Sequence, residues 1–98
     1  MTHVLKSWVE WYSKIKYGEL TANIRKDDRP FQDNDDVIFE EFDPQLKIYT
    51  GHTCKAKIVT VQRNVPGLMP GYCVMSIKIY LDACKFVVEK AGLPENRQ

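Results

Sequence analysis

Histidine is nearly absent from this 98-residue chain, which carries only His3 and His52. Two are too few for a histidine-built metal centre, and Cys54, Cys73 and Cys84 share no C-x-x-C spacing that would supply further ligands. No P-loop, G-x-G-x-x-G or H-E-x-x-H pattern occurs, so the sequence implies neither a metal nor a cofactor. No run approaches the roughly 18 apolar residues of a membrane span. Met1 to Lys6 lacks the apolar stretch of a secretory leader. An odd number of cysteines without such a leader reads as three reduced thiols in a cytoplasmic protein. His52 and Cys54 lie two apart and would share a strand face, but no third group is in evidence to orient them for catalysis, and they read as an ordinary strand start.

What is present fits one globular domain. The chain is 44% hydrophobic and 28% charged, which predicts a single core over residues 1–92 and a flexible tail over 93–98. The net charge of +1 hides an uneven distribution. Residues 27–43 hold eight acids against Arg29 alone, a balance of −7, and the remaining thirteen Lys/Arg and five acids give +8. Such a division suits a basic face for phosphates beside an acidic face for a basic partner, or two solvated surfaces.

Periodicity predicts the elements. His3 to Lys6 reads as a short strand, and Ser7 with Glu10 forms the capping box of a helix. On that helix Trp8, Trp11, Tyr12 and Ile15 recur as an apolar stripe, read as core, and Gly18 ends it in the left-handed conformation. Leu20 to Lys26 alternates, with Leu20, Ala22 and Ile24 on the dry face and Thr21, Asn23 and Arg25 on the wet one. Asp27 to Asp36 is a loop and Val37 to Phe42 a strand. Gln45 to Thr50 forms a turn and short strand, and Thr50-Gly51-His52 a tight connection. Thr53 to Arg63 is the longest strand; its apolar parity switches at Ile58-Val59, which predicts a bulge. Asn64 to Gly71, with Pro66-Gly67 and Pro70-Gly71, is a loop, and Tyr72 to Tyr80 a last strand. Asp82 caps a C-terminal helix with Cys84, Val87, Val88 and Ala91 inward, stopped by Gly92. The order β-α-β-β-β-β-α gives an α+β class: a small mixed β-barrel with an N-terminal helix after strand 1 and a C-terminal helix.

The segment Gly18 to Arg29 carries a family likeness. It resembles the G-x-K-x-x-E-x-R signature of ASCH domains in the PUA-like superfamily. More closely, it is similar to a phage- and mobile-element-associated branch of unassigned function. The matching residues are Gly18, Thr21, Ile24, Arg25, Lys26, Asp28, Arg29 and Phe31, then Glu41, Asp43 and Pro44, then Tyr49, Thr50 and Gly51. The match closes on Gly67, Leu68, Pro70, Gly71, Tyr72, Val74, Ser76 and Ile77. The signature lysine is Leu20 here and the signature glutamate is Asn23. In relatives that hydrolyse acetylated cytidine, the lysine position and a threonine at the glutamate position carry the reaction. Thr21 is adjacent but faces the other side of the strand. Losing the lysine removes the main base or nucleophile, so a non-catalytic chain is expected.

The resemblance still implies a cleft for RNA or another single-stranded nucleic acid. Arg25, Lys26 and Arg29 would meet phosphates, Asn23 a base edge, Lys55, Lys57 and Arg63 would extend the basic surface, and Tyr72 would stack a base. Arg25 and Arg29 have a second reading, pairing with Asp28, Asp35 or Asp36 to brace a loop. Two further functions fit the sequence. In one, a phage or mobile-element protein inhibits a host factor through its acidic face, with Asp33, Asp35, Asp36, Glu40 and Glu41 in contact. In the other, a residual amidohydrolase acts on a modified nucleoside.

Overall fold

Strand alternation and helix periodicity resolve into seven elements in a computed structural model, which describes residues 1–95. They are β1 (Thr2–Trp8), α1 (Val9–Lys16), β2 (Ala22–Lys26), β3 (Asp36–Asp43), β4 (Ile48–Arg63), β5 (Tyr72–Phe86) and a 3-10 turn (Val88–Lys90). The five strands form one sheet in the order β1-β3-β4-β5-β2, with β1 parallel to β3 and the other pairs antiparallel. The sheet curls into a half-barrel, a mixed α+β arrangement with one α-helix. No helix among the described residues is long and apolar enough to cross a membrane.

The concave face holds the core. Leu5 of β1, Val37 and Phe39 of β3, Cys54, Ala56 and Ile58 of β4, and Cys73, Met75 and Ile77 of β5 alternate inward. Tyr12 and Ile15 of α1 and Phe31 of the 27–35 loop cover them. Burying a side chain such as Ile15 or Phe31 contributes about 2 kcal/mol. Between Ile58 and Thr60 the pairing with β5 slips, so the expected bulge is present and Val59 is thrown outward.

Several expectations need correction. The strand runs on to Trp8 and α1 starts without a side-chain cap, so Ser7 is a buried strand residue and forms no capping box. No turn occurs at Thr50-Gly51-His52, because β4 is continuous there. Gly51 sits at φ +97, and a Cβ on it would lie 2.7 Å from the Phe86 ring and 3.0 Å from the Val87 carbonyl. Close backbone approach therefore explains this glycine.

The C-terminal helix is replaced by the continuation of β5, which pairs His52 with Phe86, Thr53 with Lys85 and Cys54 with Cys84. Asp82, expected as its cap, sits at φ +60 where β5 bulges away from β4. The β-branched Val87 suits the extended backbone it adopts, and only the single 3-10 turn Val88–Lys90 follows it. The reduced-thiol expectation fails for two cysteines: Cys54 and Cys84 face each other across the ladder and form a disulfide, while Cys73 is a buried thiol. A register that spans 30 residues of sequence brings them together, and no local spacing encodes it. The compartment argument loses that support. Leu93 and Pro94, assigned to the tail, touch β4: Tyr49 N–H donates to the Leu93 carbonyl, and Pro94 bridges Ile48. Residues 96–98 of that tail lie outside the described residues.

Candidate functional site

A curled sheet has two end strands, here β1 and β2, and no ladder joins them. The gap is closed by side chains. Arg25 donates from Nη1 and Nη2, at 3.2 Å each, to the Lys6 carbonyl, and Arg29 donates from Nη1 at 2.9 Å to the Val4 carbonyl. Arg25 and Arg29, four residues apart, thus bridge to two β1 carbonyls two residues apart. Burial first, and then the charge of Arg29, pull the Arg25 pKa below its ordinary value, with Asp28 acting in the opposite sense. The guanidinium stays charged, because its reference pKa is so high.

This placement reverses the sequence reading of β2. Arg25 pairs in register with Cys73 and Asn23 with Met75, both on the concave face, and directly opposed residues project to the same side of a sheet. The face expected to be wet is therefore the inner one, and Ile24, expected to be dry, is 65% exposed.

Beyond Arg25 the seam opens into a cleft of about 540 Å3. Lys6, Ser7, Trp8 and Trp11 form one wall, and Leu20, Ala22, Asn23, Ile24 and Arg25 form the other. That volume falls within the range of small-ligand pockets. Trp8 and Trp11 are each 45% exposed. Asn23 Oδ1 is shielded from solvent yet has no hydrogen-bond partner in the protein. Leaving a buried acceptor unpaired costs about 1–3 kcal/mol, so its presence in a cleft points to a donor arriving from outside. Leu20 and Asn23, the two positions where the chain departs from the ASCH signature, both line the cleft.

The lining offers stacking surfaces, an amide that both accepts and donates, and two cations. It contains no carboxylate and no imidazole. Among the described residues no three His, Cys, Asp or Glu converge as metal ligands. In the core, the Tyr12 hydroxyl lies 3.0 Å from Cys54 Sγ, and burial, followed by the Glu41 charge, pushes its pKa up to about 12.

The structure gathers some of the predicted residues here and scatters others. Asn23 and Arg25 line the cleft, while Lys26 is exposed on the opposite face of β2. Lys55 and Lys57 alternate with the inward Cys54, Ala56 and Ile58, so they occupy the convex face and do not extend the Asn23–Arg25 surface. Lys55 meets Asp36 at 3.6 Å and lies over the Tyr80 ring. Arg63 is held by both Asp27 carboxylate oxygens and the Phe31 carbonyl. Tyr72 is half-buried opposite Lys26, outside the cleft lining.

The five acids of the predicted partner-binding face are also engaged within the chain. Asp33 accepts from Val61 N–H, and Asp35 lies 2.8 Å from His3 Nε2. Asp36 accepts from the Tyr80 hydroxyl, Glu40 from Lys90 and Glu41 from the Thr50 hydroxyl. The bracing expected between Arg25 or Arg29 and these acids takes another form, since both arginines bond β1 carbonyls.

Sequence reasoning missed Lys6, Trp8 and Trp11. Helical spacing puts the whole aromatic stripe in the core, but α1 has only eight residues and Tyr12 and Ile15 fill its buried side. The available signal was that tryptophan is rarely fully buried, and two fell within four positions at a strand-helix junction.

A family described as a domain of unknown function (DUF3850) matches residues 2–77, which span both walls of the cleft. No curated protein matches the chain.

Proposed function

The chain belongs to this family of unknown function (DUF3850), and from that premise we propose that it is a non-catalytic nucleic-acid-binding module whose cleft receives one unpaired base. The observation that carries the reading is the shielded, unpartnered Oδ1 of Asn23, which lines the same cleft as two half-exposed tryptophans. A base presents a flat π-face for an indole and an edge amine or imino N–H for the amide. Lys6 adds a cation at the mouth. The half-barrel with a helix after its first strand, and a cleft built on Leu20 and Asn23, support the finer assignment to the ASCH/PUA-like superfamily. Leu20 in place of the signature lysine supports the non-catalytic reading over the amidohydrolase. The inhibitor reading draws less support, because Asp33, Asp35, Asp36, Glu40 and Glu41 all have partners within the chain.

Trp8 and Trp11 are the chain's two tryptophans, so intrinsic fluorescence reports on the cleft directly. Titration with the four nucleoside 5′-monophosphates and with short RNA and single-stranded DNA at two salt concentrations should quench it. Trp11→Ala and Asn23→Leu should abolish binding. Lys55→Ala with Lys57→Ala, on the convex face, should leave affinity and salt dependence close to wild type. Quenching no greater than that by inorganic polyphosphate would reject the reading.

A further inference from the structure

A second cleft, of about 490 Å3, adjoins the first and shares Lys6 and Trp8 with it. Trp8 thus lines both clefts, and its 45% exposure leaves indole surface available. The second cleft adds the Phe42 ring and Lys47 to this shared wall, and Pro94 and Glu95 flank it. Lys6 stands at the junction, its ammonium 4.9 Å from the Phe42 ring centroid and paired with Glu95.

We propose that the ligand is a single-stranded oligonucleotide that places two successive bases on either side of Trp8, with the linking phosphodiester at Lys6. The inference rests on the base-binding reading above and deepens it. The argument is one of chemistry in sequence. Two adjoining clefts, each roomy enough for a base and sharing one aromatic residue, match the alternation of bases along a strand, and a cation common to both matches the charge between those bases. Lys47 provides a second cation for the next phosphate. Glu95 holds Lys6 in the unliganded protein, so a phosphate must displace one carboxylate to bind. A free nucleoside fills only the first cleft and gains nothing from Lys47.

The test compares each nucleoside 5′-monophosphate with its RNA and DNA dinucleotides by tryptophan quenching. The dinucleotide should bind about tenfold tighter or more, from one added stacked base and one added charge contact. RNA against DNA shows whether the sugar hydroxyl is read. Lys47 sits at φ +58, so Lys47→Asn removes the charge while keeping a residue that tolerates that backbone. It should lower the dinucleotide affinity several-fold, toward that of the monophosphate, with the stacking gain of the second base retained. Glu95→Gln should tighten dinucleotide binding several-fold by releasing Lys6. Monophosphates that bind as tightly as dinucleotides, or a dinucleotide affinity unmoved by Lys47→Asn, would overturn the two-base site while leaving the one-base cleft standing. If neither ligand class binds, both readings fall.

Discussion

Two polar regions of this molecule use their hydrogen-bonding groups in opposite ways. In residues 27–43 most of the acids have partners inside the chain, among them Asp27 with Arg63, Asp35 with His3, Asp36 with Tyr80 and Lys55, and Glu40 with Lys90. Along the seam between β1 and β2, Arg25 and Arg29 bond backbone carbonyls, and the adjoining Asn23 Oδ1 bonds nothing in the protein. Charge density alone draws attention to the first region. An unmet hydrogen-bonding group is the better sign of a site, because its cost persists in the free protein and is relieved only by a ligand.

The largest expected effect breaks the seam. Arg25→Ala leaves the Lys6 carbonyl without its two charge-assisted bonds and should cost about 2–3 kcal/mol, read as a lower urea midpoint at unchanged slope. Arg25→Lys should recover less than half of that, since an ammonium cannot reproduce the fork.

The next effect lies in the matched region. Asp35→Asn weakens the contacts with His3 and Gln32 N–H and should cost about 1–2 kcal/mol. The bond to His3 is the main cause that holds the Asp35 carboxyl below its ordinary pKa, against an opposing effect of burial. A depressed native pKa means that stability is fully present above the ordinary carboxylate range and drains away as pH falls toward the native value. Acid titration of the urea midpoint should therefore be shallower in Asp35→Asn than in wild type.

The smallest effect has the opposite sign. Asn23→Leu removes an unpaired buried acceptor and should stabilise the free protein by about 1 kcal/mol in thermal melts, while base binding is lost. A variant that is both more stable and inactive would mark Asn23 as a binding residue. Destabilisation would mean that the amide supports the fold and would erase the contrast between the two regions.

Much of the framework was legible from residue order. The bulge at Val59 follows from the parity switch between Ile58 and Val61, and the left-handed Gly18 from its place after Ile15. The candidate site was half legible: the segment containing Asn23 and Arg25 stood out, but its partners Lys6, Trp8 and Trp11 lie earlier in the chain and were read as strand and core. The extension of β5 through Cys84 escaped notice because Asp82 followed by an apolar stripe has the pattern of a helix start. Cross-strand pairing with His52 to Cys54 outweighed that local preference.

The sequence by itself determined which residues share a face, since strand alternation is a local property of the backbone. Which face lies inside was settled only when β2 took its register on β5. Arg25 opposite Cys73 turns the whole strand, and a slip of one residue would turn it back. The same holds for the seam. Arg25 and Lys6 are 19 residues apart, Arg29 and Val4 are 25 apart, and only the curl of the finished sheet brings each pair within a hydrogen bond.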